Sequence, residues 1–200
     1  MPETITTTKA PSVADPGPLG LAAFAATTFM LSIFNSGLVD SRVEAVILGT
    51  ALFYGGIAQL IAGAFEFVKN NLFGALAFTS YGAFWMAFWF LSSHPDLISS
   101  DVGTLKATGV GIFLLAFTIF TAYMTIAAFK INRGLFITFA LLVLALICLT
   151  IGDLAHLTIA TRIGGVLGLG TALAAWYCSA AGVLAFTFGR TVLPLGVVKK

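Results

Sequence analysis

Charged side chains are scarce in this sequence. Asp, Glu, Lys and Arg make up 9% of its 200 residues, whereas 59% are hydrophobic and the mean hydropathy is +1.04. A chain with so little polar surface cannot cover a water-soluble globule. The long apolar runs also carry no Asp, Glu, Lys, Arg or His at their middles, where a typical proton pump or cation carrier places its buried charges. The composition therefore predicts a membrane protein that is not a typical ion pump.

Enzyme and metal motifs are missing as well. The sequence contains no serine nucleophile elbow, phosphate-binding loop, zinc spacing or dinucleotide fingerprint in the strand or helix context that each requires. Both cysteines, Cys148 and Cys178, fall inside apolar runs, where they are predicted to pack as small hydrophobic residues. The basic residues form no stripe with interleaved aromatics, so nucleic acid is not an expected partner. The sequence thus predicts no enzyme activity, no cofactor and no metal site.

A repeated apolar block fills most of the chain. Six runs of about twenty residues recur between short polar links, and a helix of that length crosses the hydrocarbon core of about 30 Å. The runs predict an all-α integral membrane protein with six transmembrane helices, at 19–39, 45–67, 72–91, 107–129, 135–151 and 163–188. They define a transmembrane domain over 19–188, between an N-terminal tail of 1–18 and a C-terminal tail of 189–200.

The basic residues are distributed unevenly between the two sides of this arrangement. Seven of the ten Lys and Arg fall in the two tails and in the links 68–71 and 129–134, against three on the opposite side. Because cytoplasmic loops of membrane proteins are enriched in Lys and Arg, both termini are predicted to be cytoplasmic. The expected location is the cell (plasma) membrane.

Two carboxyl groups stand at the ends of predicted spans. Glu66 lies near Lys69 on the predicted inner side, and Asp153 follows Gly152 on the outer side. Their boundary positions favour an interface or ion-pair role over proton coupling. Coupling stays open as the alternative, because these are the only candidates for it.

Neutral polar residues occupy the span interiors. An unpaired amide or hydroxyl is costly in hydrocarbon, so such side chains face other helices or a wet cavity. Thr28, Ser32 and Asn35 share one face of the first span through their spacing of i, i+4 and i+7. The simpler alternative is that a Thr or Ser bonds back to a carbonyl one turn earlier. That alternative suits a threonine better than the amides of Asn35 and Gln59.

Glycines and aromatics add two packing patterns. Gly49, Gly56 and Gly63 recur every seven residues, and Gly164 and Gly168 have small-xxx-small spacing, so both sets are predicted to let helices approach closely. Tyr81, Trp85 and Phe88 share a face of the aromatic-rich third span. Such a face packs between helices or lines a narrow pore that gates by expelling water.

Five segments carry a family resemblance. They are DPGPLGL at 15–21, YGGIAQ at 54–59, TSYGAFW at 79–85, AAWY at 174–177 and GRTVLPLG at 189–196. In this order and spacing they resemble the acetate uptake transporters, also called the succinate-acetate permease family. One departure is Asp15, where the family usually has asparagine. Asp15 is still expected to cap the first helix, with Pro16 as the first helical residue.

The resemblance implies a fold, an assembly and a site. The family has six helices and forms hexamers in which each protomer has its own pathway for acetate and, secondarily, succinate. By matching motif, Phe24, Tyr81 and Leu142 would form an aromatic-aliphatic constriction. Leu141 is the alternative to Leu142, because no motif anchors the count along the fifth span. Ala175 matches a position that shapes substrate size.

The cargo makes chemical sense of the polar residues. Acetate joins a methyl group to a carboxylate, so its pathway needs apolar contacts and hydrogen-bond donors. Passage of small mono- and dicarboxylates, channel-like or proton-linked, is the predicted function, and a channel for a neutral solute such as ammonia or water is the alternative. With no buried Arg to grip a carboxylate, binding is expected to be weak and exit fast. The predicted pathway residues are Thr28, Asn35, Gln59, Thr79, Ser80, the Tyr81 hydroxyl, Trp85, Ala175 and Tyr177.

Overall fold

The computed structural model of the protein describes residues 13–94, 103–196 and 198, without the side chains of 103–105. In this part of the chain six helices are long and apolar enough to cross a membrane, which confirms the predicted six-span architecture. They are α1 (Gly17–Asn35), α2 (Ser41–Val68), α3 (Leu72–Ser93), α4 (Gly103–Ala128), α5 (Arg133–Leu154) and α6 (Thr158–Phe188).

The second helix is irregular. It begins as a 3₁₀ helix (Ser41–Val46), passes through one α turn (Ile47–Thr50) and a π-helical stretch (Ala51–Ala58), and ends as an α-helix (Gln59–Val68). π turns are rare and occur mostly at functional sites. Here the π stretch places Gly55 against α1 and α3, where an added Cβ would lie 2.5 Å from Thr27 Cγ2 and 2.9 Å from Trp85 Cγ. Only glycine therefore fits this crossing.

The acidic residue just before α2 starts the helix. Asp40 Oδ1 accepts a hydrogen bond of 2.9 Å from the Arg42 backbone N–H, and Asp40 Oδ2 pairs with the Arg42 guanidinium at 2.7 Å. The hydrogen bonds from Arg42 hold the pKa of the Asp40 carboxyl below its usual value. Both side chains are exposed, so this pair fixes the turn locally and has little weight in overall stability.

Most helix boundaries differ by one to five residues from the predicted spans, and two of the differences have a local cause. The first helix ends at Asn35 and not at 39, because Gly37 adopts a left-handed conformation with φ of +77°. The sixth begins at Thr158, five residues before the predicted 163. The apolar pattern stops at Arg162, but the helix includes this residue. The Arg162 side chain lies over Gly37, and its Nε is 3.3 Å from where a Cβ on Gly37 would be.

The start of α1 also differs by one residue from the expectation. Pro16 occupies the N-cap position, so the helix begins one residue later than expected. Asp15 still caps the helix end, because its Oδ1 accepts a hydrogen bond of 3.1 Å from the Gly17 backbone N–H, and it accepts another of 2.8 Å from Lys69 Nζ. The carboxylate still sits at the positive end of the helix dipole.

Four of the five glycines predicted to let helices approach closely do so, and Gly49 does not. Gly56 and Gly63 face α3, whereas a Cβ added at Gly49 would meet nothing within 4 Å. Gly164 faces the Ala145 carbonyl of α5, at 3.1 Å from an added Cβ. Gly168 faces Ser32 of α1. The small-xxx-small pair on α6 therefore serves two different partners, because successive helical turns of a tilted helix meet different neighbours.

The first and last helices meet at the same end of the bundle. Ser179 Oγ on α6 donates a hydrogen bond of 2.7 Å to the Pro18 carbonyl at the start of α1. After α6, Gly189 turns the chain with φ of +64°. Residues 190–196 return to the N-terminus of α5, where the Arg133 and Gly134 N–H groups each donate a hydrogen bond of 3.0 Å to the carbonyls of Gly196 and Leu195. The described part of the C-terminal tail is thus packed on the helices.

Candidate functional site

Two cavities lie in line inside the helix bundle. We name them after the orientation predicted from sequence: the outer cavity, at the Asn35 end of α1, has a volume of about 60 Å³. The inner cavity, at the Gly17 end, has a volume of about 180 Å³. Among the described residues none lines both cavities, and a layer of side chains lies between them.

The three residues predicted to form a constriction lie in this separating layer. Phe24, Tyr81 and Leu142 are 6%, 4% and 7% exposed and line the outer cavity. Each lies three or four residues, about one helical turn, beyond a residue that lines the inner cavity on the same helix: Leu21 on α1, Phe78 on α3 and Phe139 on α5. The ring centroids of Phe24 and Tyr81 are 5.4 Å apart, and those of Tyr81 and Phe139 are 6.1 Å apart. Phe139 is a member of this layer that the sequence analysis missed.

The choice between two leucines on α5 is decided by the tertiary structure. Leu142 is buried and lines the outer cavity. Leu141 faces α6, where its Cδ1 lies 3.6 Å from the position of a Cβ on Gly170. The geometry therefore places Leu142 beside Phe24 and Tyr81.

The Tyr81 hydroxyl is already occupied. It lies 2.8 Å from Thr121 Oγ1 on α4, and the Thr121 hydroxyl donates to the Phe117 carbonyl at 2.7 Å. Because the Thr121 proton is used in that bond, Tyr81 is the donor to Thr121 and has no proton left for a ligand. The suggestion that this hydroxyl donates to a substrate is therefore wrong. Its bond fixes the ring in the separating layer.

The outer cavity retains unpaired hydrogen-bond donors. Thr28 Oγ1 and Trp85 Nε1 are buried and have no hydrogen-bond partner. Ser32 and Asn35 line the same cavity, so the face of α1 predicted from helical spacing lies along it. A buried donor without a partner costs about 1–3 kcal/mol. A ligand carboxylate or water in the cavity would recover that cost.

Five predicted pathway residues lie outside these two cavities. The Thr79 hydroxyl donates to the Ala75 carbonyl at 2.6 Å, the local alternative considered from sequence, and the Tyr177 hydroxyl donates to the Pro194 carbonyl at 3.0 Å. Gln59 is fully buried, and its amide has no hydrogen-bond partner. Ala175 is fully buried in the same apolar cluster as the constriction. The fifth is Ser80, which is partly buried on α3.

The inner cavity carries the polar and acidic groups. Asn71, the N-cap of α3, donates from Nδ2 to Glu66 Oε2 at 2.8 Å. Asn132, the N-cap of α5, accepts the Leu135 N–H at 2.8 Å. Both asparagines line the cavity and were missed from sequence, although an asparagine directly before an apolar helix is a recognisable capping signal.

The predicted ion pair of Glu66 is absent from the described residues. Lys69 pairs with Asp15 at 2.8 Å, and the other pair in that part of the chain joins Arg42 and Asp40. Neither Glu66 nor Asp153 therefore forms an ion pair with a described residue, and the interface role stays a prediction. Lys69 was the expected ion-pair partner of Glu66 because the two residues are close in sequence. In the fold, Asp15 at the start of α1 lies next to Lys69 and pairs with it.

Comparison with known proteins gives a consistent result. The model of the GPR1/FUN34/yaaH family matches residues 1–195. Two proteins of Saccharomyces cerevisiae, Accumulation of dyads protein 2 and Ammonia transport outward protein 2, are 43% and 39% identical over 178 residues, which is 85% of this chain but only 61% of either yeast protein. The succinate-acetate/proton symporter SatP of Escherichia coli is 38% identical over 184 residues, 92% of this chain and 96% of SatP.

A solved structure has the same fold. The structure of the bacterial acetate channel SatP superposes with a TM-score of 0.85 at 37% sequence identity. The match covers 92% of this chain and 100% of the solved chain.

Proposed function

The chain belongs to the GPR1/FUN34/yaaH family, and we propose that it passes acetate and related small carboxylates, such as succinate, across the cell membrane. The pathway runs through each protomer, from the outer cavity past Phe24, Tyr81 and Leu142 to the inner cavity. The observation that carries the proposal is a pair of unpaired buried donors, Thr28 and Trp85, in a cavity otherwise lined mainly by apolar side chains. The names of the relatives SatP and its solved channel support the same cargo.

The outer cavity matches the two ends of acetate. The Thr28 hydroxyl and the Trp85 indole N–H can donate to the carboxylate oxygens, while Phe24 and Leu142 offer apolar contact to the methyl group. No cationic side chain lines the described cavity. A site of neutral donors binds a carboxylate more weakly than a guanidinium does, and weak binding permits the rapid exit that conduction requires.

The separating layer sets the size limit. Phe24, Tyr81 and Leu142 are each held by neighbours on α1, α3 and α5, and the ring of Tyr81 is anchored to α4 through Thr121. Passage requires these side chains to move apart by about the width of the solute. A two-carbon acid needs the smallest displacement, which favours acetate over longer acids.

The proposed function is transport and not an enzymatic reaction. The main alternative is a channel for a neutral solute. The name of one yeast relative refers to ammonia transport, and an uncharged constriction also suits ammonia. The two functions separate in proteoliposomes that contain unlabelled acetate and are diluted into trace labelled acetate. Transient accumulation of label above equilibrium supports acetate transport, whereas no labelled flux together with ammonia-driven alkalinisation of the lumen supports the alternative.

Orientation and assembly complete the proposal. The N-terminal tail, 1–18, and the C-terminal tail, 189–200, are both proposed to be cytoplasmic, because most Lys and Arg lie on that side of the six spans. A homo-oligomer, the hexamer implied by the family resemblance, would cover part of the apolar outer surface, on which Phe53, Ile126 and Phe186 are 66%, 75% and 86% exposed. Native mass spectrometry of the detergent-extracted protein tests the subunit number, and a monomer would contradict it.

A further inference from the structure

The inner cavity contains a carboxyl group that is buried without a cation. Glu66 is 2% exposed and lies in the last turn of α2. Its Oε2 accepts one hydrogen bond from Asn71, and no described residue donates to Oε1. Oε1 lies over the first turn of α1, 3.4 Å from where a Cβ on Gly17 would be. A buried carboxylate with one neutral donor and no ion pair is poorly compensated for the loss of water.

The neighbours of Glu66 do not supply that compensation. The start of α1 brings Asp15, and the end of α2 brings Lys69, whose charge is already paired with Asp15 at 2.8 Å. Asn71 of α3 already bonds to Glu66 Oε2, α5 contributes the neutral Asn132, and α6 contributes the thiol of Cys178. The described cavity therefore holds two carboxyl groups and a single lysine at its rim.

The cavity has room for a substrate beside this carboxyl. Its volume of about 180 Å³ exceeds the 10–15 Å³ that one water needs on the same kind of measure, about tenfold. A carboxylate that enters would be confined with Glu66 in one small space. Two carboxylates held close together do not both remain ionised, and such pairs share one proton.

Resting on the proposed function, we propose that Glu66 holds the proton that accompanies each carboxylate through the inner cavity. With a substrate present, the protonated Glu66 carboxyl donates an O–H···O hydrogen bond to the substrate carboxylate. Transfer of this proton converts R–COO⁻ and Glu66–COOH into R–COOH and Glu66–COO⁻. The neutral acid then crosses the apolar layer at Phe24, Tyr81 and Leu142, where a charge would have no partner.

The inward direction runs through the same steps in reverse. A neutral acid that has crossed the layer gives its carboxyl proton to Glu66 and leaves as a carboxylate. Glu66–COOH then loses the proton to water on the inner side. One proton and one carboxylate cross together, and no other reactant is needed.

The test is the pH dependence of counterflow in proteoliposomes with equal pH on both sides. For the wild type, the acetate concentration for half-maximal counterflow rises about tenfold per pH unit above pH 7, because one proton is bound with each substrate. In Glu66→Gln, whose amide can donate a hydrogen bond but cannot give up a proton, the carboxylate has no proton to carry across the apolar layer, so the counterflow rate falls at least about tenfold at each pH. Glu44→Gln is the matched control: it removes a carboxyl of the same helix that lines neither cavity, and it keeps the wild-type rate and the tenfold slope.

Each result decides the proposal. A Glu66→Gln variant that keeps both the wild-type counterflow rate and the tenfold slope overturns it, since the acid would then carry its own proton throughout. A flat profile in the wild type overturns it too, while leaving acetate transport intact. Absence of counterflow in the wild type would instead refute the proposed function.

A second measurement does not depend on the variant folding. When acetate is added to wild-type protein in weakly buffered detergent, at a pH within the range of the tenfold slope, about one proton is taken up per acetate bound. Binding without proton uptake overturns the role of Glu66.

Discussion

Tyr81 on α3 donates its hydroxyl proton to Thr121 on α4, across 2.8 Å and 40 positions of sequence. The bond lies in the layer that separates the two cavities. It uses the hydroxyl proton that the sequence analysis had predicted would be donated to a substrate. The role of the Tyr81 hydroxyl is therefore to hold the Tyr81 ring in place in this layer.

Removing this hydroxyl should affect stability more than transport. Tyr81→Phe is expected to lower the free energy of unfolding by about 1 kcal/mol, since one buried hydrogen bond is lost, and to keep acetate counterflow within about twofold. Thermal unfolding in detergent and counterflow are measured on the same preparations. Thr121→Val should give a similar loss, and the double variant little more, because both changes remove one bond. Counterflow abolished with unchanged stability would show that the hydroxyl contacts substrate.

Shortening Leu142 should widen the pathway. Leu142→Ala removes three carbon atoms from the separating layer and is expected to admit longer monocarboxylates or to raise leak, measured as the ratio of labelled butyrate to labelled acetate counterflow. Leu144→Ala is the matched control, because Leu144 lies on the same helix and is 49% exposed. Equal selectivity in the two variants would place the constriction elsewhere.

The two unpaired donors of the outer cavity should set the affinity for carboxylates. Thr28→Val removes one donor with little change in shape, and Trp85→Phe removes one donor together with part of the indole ring. Each is expected to raise the acetate concentration for half-maximal counterflow about tenfold, given about 1.5 kcal/mol per hydrogen bond to a charged group. Trp89→Phe is the control for loss of an indole outside the lining of this cavity. If Trp85→Phe and Trp89→Phe behave alike, the indole N–H does not contact the carboxylate.

Two glycines should respond in opposite ways to the same substitution. A Cβ at Gly165 would overlap the Ser36 backbone nitrogen of α1, so Gly165→Ala is expected to cost about 1–3 kcal/mol. Gly49 has nothing within 4 Å, and Gly49→Ala should be neutral or stabilising by up to about 1 kcal/mol. Thermal unfolding followed by tryptophan fluorescence compares the two. Equal melting temperatures would mean that α1 and α6 are packed more loosely than described.

The sequence by itself determined the features that depend on local pattern. Runs of apolar residues fix six spans, since helix length and membrane thickness must match. Helical spacing fixes which residues share a face, as it does for Thr28, Ser32 and Asn35 along the outer cavity.

Only the tertiary structure decided which neighbour each face meets. Lys69 lies three residues from Glu66 yet pairs with Asp15, 54 positions away, which leaves the Glu66 carboxyl without a cation. The Tyr81 donor is used by Thr121, Leu142 lines the cavity in place of Leu141, and Gly164 and Gly168 serve different helices. The physical reason is that a helical period fixes directions around one axis, whereas partners are chosen by how several axes pack together.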